Sequence, residues 1–229
     1  MKRYAKLFLF SPMLALLLLA VLIGTAYAFR WFLGPYDADE NIVIEIGTYC
    51  AYLLSFVALA YFSKDHLHTS RRRSFLAIAF LWCVALVREM GAQHWLTAHD
   101  TTAVKIRFFT NPANPLSEKI IVGGILLVLI IIAVSLLVKH IRQMVVGFFK
   151  GDAFYWTLAT FGGFGILSQI VDRFPSRYSK RYGELLPEPT LFGCKVFEEC
   201  SEMLLPILFI VALWQLHLQL VDASSETGV

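Results

Sequence analysis

Charge is what this sequence has least of. Only 16% of its 229 residues are charged, against about 25% in an ordinary water-soluble domain. Hydrophobic residues make up 58%, and the mean hydropathy is +0.64. That balance excludes an ordinary soluble globule, and no run of cations is dense enough to read as a nucleic-acid surface. Several catalytic signatures are also missing: a glycine-rich phosphate loop, a Gly-x-Ser-x-Gly elbow, a His-Glu-x-x-His pair and any repeating unit. Cysteine is scarce and follows no Cys-x-x-Cys pattern. Cys50 and Cys83 fall inside apolar runs. Cys194 and Cys200 are ~9 Å apart by helical rise, too far for a disulfide. All four read as packing residues.

What the chain has instead is long apolar runs. Six reach the ~20 residues that a helix needs to cross a bilayer. They lie near Leu7 to Phe29, Asn41 to Phe62, Ser74 to Leu96, Lys119 to Ile141, Ala153 to Phe174 and Leu191 to Leu220. Barrel strands would alternate in ~10-residue segments, whereas these runs are continuously apolar, so helices are expected. The expected fold is all-α: a polytopic bundle of about six transmembrane helices, forming one domain over residues 1–229. The first run follows Lys2, Arg3 and Lys6 and ends at Ala26-Tyr27-Ala28, a signal-peptidase-like sequence. Its apolar core is long for a signal peptide, and a retained anchor helix is the expected outcome.

Orientation follows from the basic loops, which are kept on the cytoplasmic side. With six spans, Lys2, Arg3, Lys6, Lys64, Arg71, Arg72, Arg73, Lys139, Arg142 and Lys150 all fall on the side of the N-terminus. Both termini are therefore expected in the cytoplasm, and the expected location is a bacterial inner membrane. Arg173, Arg177, Lys180 and Arg181 run against the bias.

Within that topology the charges near the spans gather towards the outer leaflet. Glu45 sits just inside the second span, Arg88, Glu89 and His94 in the outer part of the third, Asp172 at the end of the fifth, and Glu198, Glu199 and Glu202 at the start of the sixth. Ser74 to Val87 reaches only ~21 Å as a helix, short of the ~30 Å hydrocarbon layer, so Arg88 and Glu89 fall inside it if the run spans. Intramembrane ionisable groups usually face a protein interior or a watery cavity and mark function. A structural ion pair is the plain alternative. The fourth span, Ile120 to Val138, carries no charge and is expected to form an outer wall.

Spacing assigns roles. Glu198 and Glu202 are four apart on one helical face, where like charges call for a proton, a cation or a basic neighbour such as Lys195. Pro206 has no N–H for the carbonyl of Glu202, which suggests a kink beside the acidic turn. With His94 these two carboxylates form an expected divalent-metal set, zinc being the example. Glu45, Glu89, His94 and Glu202 are the expected proton-moving groups. Glu89 and Gln93 share a face of the third helix, and His94 points away from Glu89. In the fifth span Ser168, Gln169 and Asp172 share a face, and Phe161-Gly162-Gly163-Phe164-Gly165 offers small residues for close helix approach.

Two outer loops are expected to meet lipid or a lipid-linked substrate. Thr97 to Ser117 carries the basic and apolar stretch Val104 to Phe109 and then two Asn-Pro turns, a lid-like pattern. Arg173 to Tyr182 interleaves cations with aromatics, as segments beside phosphate headgroups do. Arg88, Lys105, Arg107 and Arg177 are the expected substrate-binding cations.

Asp37, Glu40 and Glu45 resemble the acidic opening of the alkaline ceramidases, a seven-helix family of metal-dependent lipid amidases. The paired histidines of that family's last helix are missing, since His217 has Leu213 and Val221 four positions either side. Its function is therefore not carried over. Three readings follow from the residues. One is a metal-assisted hydrolase or transferase acting on a lipid or lipid-linked substrate. The second is a proton-coupled permease using Glu89 and Glu202. The third is a non-enzymatic assembly subunit whose polar layer satisfies itself.

Overall fold

The computed structural model describes residues 10–33, 42–64, 72–91 and 106–226, and all the regular structure among them is helical. The helices are α1 (Phe10–Leu33), α2 (Ile42–Ser63), α3 (Arg72–Glu89), α4 (Ile106–Thr110), α5 (Leu116–Phe149), α6 (Ala153–Tyr182) and α7 (Glu188–Glu226). Among the described residues four helices are long and apolar enough to cross a membrane: Glu45–Ser63 of α2, α5, α6 and Glu188–Val221 of α7. The apolar stretch Pro12–Ala28 of α1 is shorter. The 18 residues of α3 begin with Arg72-Arg73 and end with Arg88-Glu89, which leaves too little apolar length. The chain divides into two units, Met1–Phe62 with Val145–Val229, and Ser63–Met144.

The core of the first unit lies where α1 and α6 meet α7. Val196, Cys200, Leu204 and Leu208 of α7 recur every four residues, so one stripe of that helix is fully covered. Phe192 of the same helix, Ala15, Leu19 and Ala26 of α1, and Phe164 of α6 complete the cluster. Small alanines on α1 let its backbone come close, the usual device where lipid and protein interior are equally apolar. Directions follow from the contacts. Asp152 meets Gln219 and Thr157 meets Gln215, so α6 and α7 are antiparallel. Arg30 meets Glu188 and Tyr27 meets Phe192, so α1 and α7 are antiparallel as well. Gly47 lies against Met203, and Phe62 packs on His217 with ring centres 5.1 Å apart, so α2 runs parallel to α7.

A tight turn joins α5 to α6. Asp152 caps α6 by accepting the Phe154 N–H at 3.0 Å. Trp156 donates its indole N–H to the Phe148 carbonyl at 3.0 Å and stacks on the Phe148 ring at 4.2 Å. Gly147 is buried there because the Tyr155 ring fills the space that a Cβ would need.

In the second unit Phe108 of α4 is fully buried against Val122 at the start of α5, with Phe109 and Leu126 packed beside them. The Asn-Pro turns are tied down. Asn111 accepts the Ala113 N–H at 3.0 Å, Asn114 donates to the Phe108 carbonyl at 2.8 Å, and Lys119 donates to the Asn111 carbonyl at 2.8 Å. The expected lid is therefore, over residues 106–115, a short helix anchored to α5. The uncharged fourth span behaves as expected: only 6% of its apolar window is buried.

Two boundaries differ from the sequence expectation. The third span was expected to continue to Leu96, but α3 stops at Glu89. Gly91 takes a left-handed φ of 76°, and its N–H bonds to the Arg88 carbonyl at 3.0 Å, closing the helix. Gln93, expected to share a face with Glu89, lies outside the described residues. Arg173 to Tyr182, expected as a loop, continues α6 through Pro175 to Tyr182. That helix ends at Gly183, whose φ of 73° lets its N–H reach the Ser179 carbonyl.

Candidate functional site

The approach of α2 to α7 sets the most acidic part of the described chain. A side chain at position 47 would overlap Met203 Sδ, so the Met203 side chain of α7 reaches α2 at that level. Glu45 lies half a turn before this point on α2, exposed, and its carboxylate accepts the Tyr49 hydroxyl at 2.8 Å. On α7 the half-buried Glu198, Glu199 and Glu202 occupy the turn before Met203, and each is engaged with neighbouring groups, as are Lys195 and Tyr49. Pro206, one turn further on, is buried, and α7 is helical through it.

The remaining expected site residues are placed less centrally. Arg88 and Glu89 pair at 2.9 Å between sequence neighbours in the last turn of α3, with side chains 46% and 14% exposed. Glu89 is thus well covered while its partner is half open. This pair belongs to the second unit, and the α2 and α7 acids belong to the first. His94 and Lys105 lie outside the described residues, and Arg107 is on α4. Arg177 is exposed near the end of α6, alongside Arg173, in a cleft that includes Gly162, Gly165 and Gln169. Among the described residues no three His, Cys, Asp or Glu side chains converge as a metal-binding group. His94, the third expected ligand beside Glu198 and Glu202, lies outside those residues. All four cysteines are unbridged; Cys200 is buried and Cys194 half-buried, as expected of packing residues, whereas Cys50 and Cys83 are exposed within the chain.

Ser168, Gln169 and Asp172 fall on one side of the continuous α6 helix as expected, with Ser168 at its buried edge and the other two exposed. One expectation for α6 is corrected. The glycines at 162, 163 and 165 have nothing within 4 Å of where a Cβ would sit, so no described helix packs there. The packing residues of that segment are Phe161 and Phe164, whose rings join the α7 core.

Sequence reasoning missed two polar groupings. On the α6–α7 seam, Thr157 bonds to Gln215 at 2.7 Å, both buried, and Gln219 reaches Asp152 at 2.5 Å. In the second unit Ser74 receives the Lys139 ammonium at 2.9 Å and faces His140 Nε2 at 3.3 Å, and His140 Nδ1 faces Gln143 at 3.3 Å. This chain ties the start of α3 to α5 and orients one imidazole. No spacing rule joins residues 65 positions apart, so the sequence held no signal for it. No protein family, curated protein or solved structure matches the chain.

Proposed function

We propose that the protein is a multi-pass membrane protein of six spans, with both termini in the cytoplasm, that acts on a lipid or lipid-linked substrate as a hydrolase or transferase. The observation that supports this reading is that Glu45 of α2 and Glu198, Glu199 and Glu202 of α7 all precede the Gly47–Met203 contact by five residues or fewer. Several acids held at one depth of a membrane domain are costly to keep, and such groups serve proton movement or ligand binding. In this reading Glu45 and Glu202 transfer protons to and from the reacting group, and Glu89 and His94 are supporting titratable groups. Arg88, Lys105 and Arg107 attract the anionic part of the substrate, while Arg177, the fourth expected cation, is on α6. Glu198 and Glu202, with His94, hold a divalent cation such as zinc, which would polarise the scissile bond.

Elemental analysis of the purified full-length protein tests this directly. The expected result is about one divalent ion per chain, lost in the Glu198→Gln, Glu202→Gln variant together with turnover of phospholipid or lipid-linked test substrates. A metal-free wild type that nevertheless turns over lipid leaves acid–base chemistry by Glu45 and Glu202. A metal-free wild type with no turnover overturns the enzymatic reading.

One observation favours a second reading, a non-enzymatic assembly subunit. Glu198, Glu199 and Glu202 are all engaged with neighbours, and no metal-binding triad is formed among the described residues. In this reading the acids are held by their neighbours and bind no metal. Co-purification of a stoichiometric partner that is lost on Arg88→Met with Glu89→Leu, without change in any lipid turnover, would establish it.

A further inference from the structure

The outward face of α6 carries a cleft that neither the core nor the carboxylate layer uses. It is about 390 Å³ in volume and is lined by Gly162, Gly165, Ile166, Gln169, Arg173 and Arg177, with Ile170 at its side. The polar and small members follow one another at steps of three or four residues, so they form a single face of the helix. Thr157, Phe164 and Ser168, the residues by which α6 buries itself against the rest of its unit, are about half a turn round on the other side.

Three observations say what fits this face. The first is charge. Arg173 and Arg177 lie one turn apart, and among the described residues neither has an ion-pair partner and no acid lines the cleft. Two guanidinium groups at that spacing match the oxygens of a phosphodiester, to which arginine donates paired hydrogen bonds. The second is depth. Gly162 and Arg173 are separated by ~16 Å of helical rise, close to the ~15 Å depth of one leaflet of a ~30 Å hydrocarbon layer. A cleft that begins at the membrane middle with glycines and ends at the headgroups with arginines has the length and polarity of one lipid molecule. The third is the aromatic ladder beside the arginines. Phe174, Tyr178 and Tyr182 follow at four-residue steps, with ring centres 6.2 and 4.7 Å apart, and Arg181 lies over the Tyr182 ring at 5.6 Å. Tyrosines and cations together mark the membrane–water boundary, which places Arg173 and Arg177 at the level of lipid phosphates.

We infer that this face of α6 is a binding site for one anionic glycerophospholipid of the surrounding bilayer. The phosphate sits between Arg173 and Arg177, and the Gln169 amide meets the glycerol ester region. An acyl chain lies in the trough that the missing side chains of Gly162 and Gly165 leave beside Ile166 and Ile170. A second copy of the chain docking face to face in the same orientation would bring arginine against arginine, and a helix from another protein would have to supply the missing acid. The lipid supplies the negative charge and the flexible apolar tail together. This site stands apart from the chemistry proposed for α2 and α7, and holds whether or not those carboxylates react.

The test is native mass spectrometry of the detergent-solubilised full-length protein, titrated with phosphatidylglycerol and with phosphatidylcholine of the same acyl chains. One bound phosphatidylglycerol is expected to survive where phosphatidylcholine is stripped. The surface variant Arg173→Gln with Arg177→Gln should weaken that retention about thirtyfold, taking each basic residue as worth roughly one step of electrostatic attraction at an anionic membrane. Gly165→Leu, which fills the trough, should weaken both lipids, with circular dichroism confirming unchanged helix content. Added inorganic phosphate should compete poorly, because it has no chain for the trough. Equal retention of the two lipids, undiminished retention by the double arginine variant, or full displacement by phosphate would each overturn the assignment. So would efficient cross-linking between copies through Gly165→Cys in native membranes, which would show the face to be covered by protein.

Discussion

The buried bond between Thr157 and Gln215 is the most exacting test of how this bundle is held together. Thr157 is fully buried and Gln215 is 4% exposed. The Thr157 hydroxyl lies 2.7 Å from the Gln215 amide oxygen and 3.0 Å from the Ala153 carbonyl. Thr157→Val keeps the shape and removes the hydroxyl, leaving the Gln215 amide buried without that partner. An orphaned buried polar group costs ~1–3 kcal/mol, whereas hydrogen bonds between membrane helices have averaged nearer ~0.6 kcal/mol with a ceiling close to ~2. The expected loss is therefore ~1–2 kcal/mol, seen as a drop of roughly 2–8 °C in thermal unfolding for a chain of this size. Gln215→Leu should cost a similar amount. The double variant should cost clearly less than the sum, because it leaves no orphan. Thermal melts of the four proteins in one detergent measure this cycle. Strict additivity would refute the reasoning, since it would mean that the two side chains contribute independently and that the α6–α7 seam is held by apolar packing alone.

Two further outcomes follow from the geometry. Gly147→Leu should destabilise the α5–α6 turn severely, because the Tyr155 ring already occupies the space of its Cβ. Tyr155→Ala should recover part of the loss, which limited proteolysis at the turn will report, and absence of rescue would mean that the clash is not the cause. Arg30 pairs with Glu188 at 2.5 Å and also covers the Phe192 ring at 4.0 Å. Glu188→Gln removes only a partly exposed ion pair, for ~0–1 kcal/mol, while Arg30→Ala also removes the ring contact and should cost more. Equal melting temperatures for these two variants would show that the cation–ring contact contributes nothing.

Helix was legible in the sequence because apolar runs of membrane length leave the backbone few alternatives, and α5 shows this most clearly. Its uncharged middle was expected to face outwards, and it is almost wholly unburied within the chain. Boundaries were less legible. Gly91 ended α3 early because a single left-handed residue closes a helix, whereas hydropathy averages straight over it. Pro175 failed to end α6 although proline was read as part of a loop there. For the candidate site, the residue types and the four-residue spacing of Glu198 and Glu202 were readable. The contact of Gly47 with Met203, which relates the α2 and α7 acids along the two helices, was not, because it is made only in the fold.

Composition and run length alone made the regular structure of the described residues helical, with four helices long and apolar enough to cross a membrane, since each apolar run must satisfy its own backbone and does so locally. Which polar groups meet was decided only by the fold. Thr157 with Gln215, and Ser74 with Lys139 and His140, are distant in sequence, and only helix packing brings their donors within bonding reach of their acceptors. The same packing turned the glycines of α6 away from the core, because Phe161 and Phe164 on the neighbouring face had the apolar surface to fill it.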